Sequence, residues 1–116
     1  RVLFRSNIDS TETLAALLGA MGYQVELAHD GITALAMLRT KRFDAAILDI
    51  GLPGLDGFAL ARLIRADAGL AGLRLIAHTG YGSHFDRKKT ADAGFDVHLV
   101  KPTQIERLEQ ALERGT

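Results

Sequence analysis

The sequence predicts an α/β fold: a doubly wound, five-stranded parallel sheet in the order 2-1-3-4-5, with helices on both faces. Three observations predict it. Short β-rich runs alternate with helical patterns along the chain. The middle run, Ala45-Ala46-Ile47-Leu48, is apolar at every position, as a parallel strand covered on both faces must be. Five such units fit within 116 residues, with room for the right-handed crossovers that parallel strands require.

Val2-Leu3-Phe4 reads as the first strand. Leu14, Leu17, Leu18 and Met21 follow helical i, i+3, i+4, i+7 spacing, so that face of the first helix is expected to be buried. Asp9 and Glu12 form a capping-box match at its start, and Gly22 stops it. Val25 to Ala28 is the second strand, and Asp30-Gly31 opens a helix with Ile32, Leu35 and Leu38 inward. After the third strand, Phe58, Leu60, Leu63 and Ile64 line the third helix. Leu73 to Ala77 is the fourth strand; Ser83 caps a fourth helix, which Gly94 ends. Val97 to Val100 is the fifth strand. Thr103-Gln104-Ile105-Glu106 is a second capping-box match, opening a last helix with Ile105, Leu108 and Leu112 inward.

Bulk properties narrow the function classes. Hydrophobic content is 47% and charged content 24%, ordinary for a folded domain. The chain has no Cys, which excludes disulfides and Cys-based zinc sites and fits a reducing, cytoplasmic setting. The net charge of +0 provides no global basic field for nucleic acid. No apolar stretch approaches the roughly 20 residues that span a bilayer. One domain over residues 1–116 is expected, with no nucleic-acid or membrane contact. Because the chain opens on Arg1 rather than Met, it reads as a piece of something longer.

The chemistry gathers at strand ends. Asp49 ends the apolar middle strand, and the turn-rich Gly51-Leu52-Pro53-Gly54-Leu55-Asp56-Gly57 follows. Open α/β sheets bind ligands outside the carboxyl ends of their strands, at the switch point. In the predicted order that point lies between strands one and three, so Arg5, Ser6 and Asp49 face one crevice. Thr79 and Lys101-Pro102 close two further strands. A carboxylate can form an aspartyl phosphate, and phosphoryl transfer needs charge neutralisation more than covalent help. Lys101 offers a cation to phosphoryl oxygens, and Thr79 a hydroxyl. Taken singly, Asp49 is a turn cap, Thr79 a turn residue before Gly80, and Lys101 a solvated lysine. Together at three strand ends they read as a phosphoryl site.

These residues resemble the receiver domain of two-component response regulators. The resemblance runs from about Asn7 to Leu112. It is carried by the segment from Phe43 through Asp49 to Gly57, by Ile76-Ala77-His78-Thr79-Gly80-Tyr81, and by Leu99-Val100-Lys101-Pro102. Thirty residues separate Asp49 from Thr79, and twenty-two more lead to Lys101, also as in that family. The resemblance implies a flavodoxin-like receiver fold and a signalling module of bacterial type, not an enzyme beyond its own phosphorylation and dephosphorylation chemistry. It implies that Asp49 accepts phosphate from a histidine kinase or phosphotransfer domain. Thr79 and Lys101 would contact the phosphoryl group, and Asp49 with the Gly51 carbonyl would help hold Mg²⁺. Phosphorylation would switch a face that binds a downstream output domain or protein. Both a stand-alone receiver and the receiver end of a hybrid sensor kinase fit, the sequence leaning to the latter.

Two departures stand out. The family ends its first strand with two adjacent acids that help bind Mg²⁺; here those places hold Arg5 and Ser6. Mg²⁺ prefers carboxylates and water. At about 4 Å and an effective dielectric near 20, opposite charges attract by roughly 4 kcal/mol, so an Arg5–Asp49 pair would compete with the metal. One consequence is a pseudo-receiver that acts through binding alone. Another account is that Arg1 to Ser6 are non-native: the string Arg1-Val2-Leu3-Phe4-Arg5-Ser6 matches what a common sequencing-library adapter encodes, and the resemblance resumes at Asn7. The second departure is His98, three residues before Lys101, where the family carries a Tyr or Phe that changes rotamer with Thr79. It reads equally as a switch residue and as a half-exposed strand histidine.

His29, His78 and His84 lack metal-ligand spacing and read as solvated or locally hydrogen-bonded. Arg87-Lys88-Lys89 reads as a solvated helix face. A flavin-binding, flavodoxin-like domain is the remaining alternative, suggested by Ser6, Ser10, Thr11 and Thr13. That stretch has no glycine, Asp9 and Glu12 would repel a phosphate, and Lys101-Pro102 would go unexplained.

Overall fold

The computed structural model describes the backbone of residues 1–5, 10–49, 55–70, 72–79, 84–100 and 104–113, and their side chains except at 5, 10–14, 49, 55, 56, 79 and 84–87. Strands β1 (Val2–Arg5), β2 (Val25–Ala28), β3 (Ala45–Asp49), β4 (Arg74–Thr79) and β5 (Val97–Val100) alternate with helices α1 (Ser10–Ala20), α2 (Gly31–Thr40), α3 (Leu55–Ala66), α4 (His84–Ala93) and α5 (Ile105–Glu113). Every strand pair is parallel and the order is β2-β1-β3-β4-β5, as the sequence predicts. Strand β4 begins one residue later than expected and runs two residues beyond Ala77, which brings Thr79 into the sheet. The caps expected at Asp9, Ser83 and Thr103 lie outside the described residues.

The pleat sends alternate residues to opposite faces. Leu3, Ala46, Leu48, Leu75 and Ala77 pack against Ala34 and Leu38 of α2, Leu60 and Ile64 of α3, and Ala93 of α4. Val2, Phe4, Ala45, Ile47, Ile76 and Leu99 pack against Leu18 of α1 and Leu108, Ala111 and Leu112 of α5. Each fully buried Leu, Ile or Phe here contributes about 1.5–3 kcal/mol of transfer free energy. Truncating Leu108 to Ala would cost about 2–5 kcal/mol through the cavity left behind.

Helix faces depart from the spacing argument at four positions. Leu17, Met21, Ile32 and Leu63 were expected inward but are 45%, 41%, 86% and 52% exposed. In α1, the stretch Leu14 to Leu18 is apolar at every position, so spacing does not single out a face; contact with the sheet selects Leu18. In α2 the inward seam is Ala34 and Leu38, four residues apart, and Ile32 falls off it. In α3 the small Ala61 takes the buried place beside Leu60 and Ile64 that Leu63 was expected to share. Helix α5 follows expectation, with Leu108 and Leu112 buried and Ile105 partly so.

Local chemistry sets the helix ends. Asp30 caps α2: its carboxylate accepts from the Thr33 amide at 2.7 Å and from the Thr33 hydroxyl at 3.0 Å. Gly22 (φ 102) and Gly94 (φ 105) end α1 and α4 in the left-handed region. The amides after them, of Tyr23 and Phe95, donate back to Leu18 and Thr90 carbonyls at 3.1 Å.

Candidate functional site

The strand register builds the carboxyl edge of the sheet. Arg5, the last residue of β1, pairs with Leu48, one residue short of Asp49. Asp49 ends β3 and pairs with His78 of β4. Thr79, the next residue, ends β4 and pairs with Val100, the last residue of β5. The backbone thus brings Asp49 and Thr79 to neighbouring strand ends, and β5 ends at the residue before Lys101. This follows from local sequence: apolar runs hold each strand in the interior, and each run stops where the polar residue begins.

Several predicted site features are not among those the structure describes. Ser6, Gly51 and Lys101 lie outside the described residues, as do the side chains of Arg5, Asp49 and Thr79 and hence the expected Arg5–Asp49 pair.

Of the two histidines nearest the edge, one is buried and the other half-buried. His78 is 4% exposed, which corrects the solvated reading. The reason is its place on β4, a strand flanked by β3 and β5 and covered on both faces. Its ring meets Phe4 edge-on, with centroids 6.1 Å apart and planes at 75°. His98 is half-buried on β5, opposite Ala77 in register. Its Nδ1 lies 2.9 Å from the hydroxyl of Thr90, a buried residue of α4. Sequence reasoning singled out His98 but missed Thr90, since eight residues separate a helix position from its strand partner and no motif links them. His29, Lys88 and Lys89 are exposed, as expected.

The family's metal is tested by the donor set. Mg²⁺ requires hard oxygen ligands, carboxylates foremost. Among the five strand ends at this edge, β3 alone ends on a carboxylate-bearing residue, Asp49, and Arg5 stands at the end of the adjoining strand. Among the described residues no group of three His, Cys, Asp or Glu side chains is suited to hold a metal. This set does not fit Mg²⁺.

The opposite, amino edge carries a second polar constellation that sequence reasoning did not find. Arg65 of α3 donates from Nε to the Gly94 carbonyl and from Nη1 to the Leu73 carbonyl, both at 2.7 Å. Its Nη2 donates to the Asp96 carboxylate at 2.8 Å. The same Asp96 oxygen accepts the Leu75 amide at 2.8 Å. One guanidinium thus joins α3, the entry to β4 and the α4–β5 turn, using the fork of donors that only Arg provides. A Cβ on Gly94 would lie 2.5 Å from Arg65 Cγ, so the glycine is needed for space as well as for φ. A cleft of about 550 Å³ also opens at this edge, lined by Arg39, Lys41, Arg42, Asp44 and Asp67. Its charges are largely paired: Arg39 Nε lies 3.1 Å from Asp67, and Lys41 Nζ 2.7 Å from Glu26.

Residues 7–113 match the response regulator receiver domain family. The chain belongs to that family. It is 36% identical over 105 residues to the gliding motility regulatory protein of Myxococcus xanthus, covering 90% of this chain and 14% of that protein. It is 40% identical over 97 residues to the response regulator MprA of Mycobacterium avium, covering 84% of this chain and 42% of MprA. The chain therefore spans less than half the length of these curated relatives. Among solved structures, the chemotaxis response regulator CheY4 of Vibrio cholerae superposes with a TM-score of 0.87 at 30% identity, covering 97% of this chain and 95% of that one. The receiver domain of a sensor histidine kinase from Pseudomonas aeruginosa superposes with a TM-score of 0.87 at 33% identity, covering 97% and 93%. That structure holds a magnesium ion in its active site cleft. Receiver domains are signalling modules of two-component systems, and the relatives named here are bacterial. No helix among the described residues is long and apolar enough to cross a membrane.

Proposed function

We propose that this domain is the phosphoacceptor of a two-component phosphorelay, with Asp49 as the accepting residue. The observation that carries the reading is the register: the end of β3 at Asp49 lies one step from the end of β4 at Thr79. In the proposed reaction an ionised Asp49 oxygen attacks the phosphorus of a phosphohistidine on a histidine kinase or phosphotransfer domain. A P–O bond forms and the P–N bond breaks. The imidazole leaves with the electron pair and takes a proton from solvent. Thr79 donates its hydroxyl to one phosphoryl oxygen, and the Lys101 ammonium neutralises another. Phosphorylation adds roughly −1.5 to −2 charge at the edge. That charge biases two pre-existing arrangements of the face made by α4, β5 and α5, through Thr79 and His98. A downstream output domain or protein reads that face, and the setting is cytoplasmic.

A second reading has one observation behind it, Arg5 at the end of β1. If Arg1 to Ser6 are native, the acid pair is missing and the domain works as a phosphorylation-independent interaction module. If they are not, the native strand carries the acids that complete a Mg²⁺ site with Asp49 and the Gly51 carbonyl. We favour the latter, and the family match beginning at Asn7 supports it.

Acetyl phosphate labelling separates these readings. The double variant Arg5→Asp/Ser6→Asp is expected to take up phosphoryl in a Mg²⁺-dependent manner, seen as a retarded band on a phosphate-affinity gel. Adding Asp49→Asn is expected to abolish the band. The same uptake in the presence of Asp49→Asn would sink the assignment of Asp49. No uptake by the double variant would leave the interaction module standing.

A further inference from the structure

Thr90 is not part of the phosphoryl site, yet it touches the residue at the switch position. It lies in the last turn of α4, 2% exposed, with its hydroxyl 2.9 Å from His98 Nδ1. Its carbonyl accepts the Phe95 amide at 3.1 Å, across the left-handed Gly94. One residue therefore meets both the turn that leads into β5 and a ring halfway along β5. His98 pairs with Ala77 in register, and two residues further on Thr79 pairs with Val100. Thr79 and His98 thus lie on neighbouring paired strands, two residues apart in register.

From this geometry we infer that Thr90 is a positioning residue: its hydroxyl holds the His98 ring against α4 and ties β5 to that helix at the switch position. Assigning a switch to His98 rests on the function proposed above; the positioning by Thr90 does not. The chemistry is particular to this pair. A phenyl ring has no nitrogen beside its point of attachment, and a phenol keeps its polar atom at the far end. An imidazole offers Nδ1 close to the backbone, within reach of a hydroxyl on the neighbouring helix. The bond favours the rotamer that keeps Nδ1 facing Thr90; the hydroxyl donates to a bare Nδ1 or accepts from a protonated one, so both tautomers are compatible with it.

The test is the ¹⁵N signature of the His98 ring in the full chain, compared among wild type, Thr90→Val and Thr90→Ser. Valine keeps the shape and removes the hydroxyl; serine keeps the hydroxyl. Wild type and Thr90→Ser are expected to share one ring rotamer and the same ratio of tautomers. Thr90→Val is expected to shift the ratio of forms by roughly fivefold, the equivalent of one net hydrogen bond. An unchanged His98 signature in folded Thr90→Val would overturn the inference. Should Thr90→Val not fold, His98→Asn and His98→Gln replace it, since Asn presents a polar atom near the Nδ1 place and Gln near Nε2. Amide exchange in α4 is then expected to match wild type in His98→Asn and to be roughly fivefold faster in His98→Gln. Equal exchange in the two would overturn the inference as well. All of these spectra are taken without a phosphodonor, so their outcome is distinct from failure of Asp49 to accept phosphate.

Discussion

The two edges of this sheet spend their polar residues differently. At the amino edge, Arg65 satisfies two backbone carbonyls and the Asp96 carboxylate, and Asp96 also accepts the Leu75 amide. These groups bond to one another and hold the crossovers together. At the carboxyl edge, Asp49 and Thr79 end neighbouring strands where the chain leaves the sheet, the place where open α/β sheets bind ligands. A carboxylate at one edge is structural and at the other is the proposed phosphoacceptor, although both follow apolar runs or glycine turns. What separates them is the direction of the strands, which sends every β-to-α loop to one edge and every α-to-β loop to the other.

Swapping the damage between edges breaks this comparison most sharply. Arg65→Met is expected to destabilise the domain by about 1–3 kcal/mol, because two part-buried carbonyls lose a charged donor. Urea unfolding would show it, while phosphoryl uptake per folded molecule in the Arg5→Asp/Ser6→Asp background stays unchanged. Asp49→Asn should do the reverse, abolishing uptake with a stability change within about 0.5 kcal/mol. Matching effects on both readouts at either site would erase the distinction between edges.

A comparable effect sharpens the structural half. Gly94→Ala is expected to cost about 1–3 kcal/mol, from the positive φ and from contact with Arg65. In a double-mutant cycle, Arg65→Ala with Gly94→Ala should cost less than the two single changes together, because the first removes the Cγ that the new methyl would strike. Additive costs would show that backbone conformation alone demands glycine there.

The smallest expected effect is a pH dependence. Burial, then the Glu113 and Glu109 charges and a 3.3 Å hydrogen bond to Glu113, raise the Tyr23 pKa above its ordinary value. The folded chain thus holds the phenolic proton more firmly than the unfolded chain does. The associated stability is complete below the unfolded pKa of about 10 and is lost as pH rises through the folded value. Stability should fall more steeply above pH 10 in wild type than in Tyr23→Phe, by less than about 1 kcal/mol for so exposed a group. Parallel curves would assign Tyr23 no such role.

Much of the architecture was legible without coordinates because strand signals are local. An apolar run such as Ala45 to Leu48 has few ways to be buried except as an inner strand, and its polar successor Asp49 then lands at an edge. Alternation of such runs with helical stretches leaves a parallel sheet as the economical solution, and the order 2-1-3-4-5 fits it; the receiver reading came from the resemblance of the motifs at the strand ends. Helix faces were less legible. Where a helix is apolar nearly all round, as α1 is, spacing names several faces and the contact with the sheet selects one; hence Leu18 is buried and Leu17 is not.

Long-range polar links lay beyond reach for another reason. Arg65 meets Gly94 and Asp96, 29 and 31 residues away, and Thr90 meets His98 from a different element. A hydrogen bond depends on distances of a few tenths of an ångström, and chain spacing carries no such information. Residue types and their alternation were enough to define the strands, their order and the edge that holds Asp49. Which side chains became partners across those elements emerged once packing had set the distances between them.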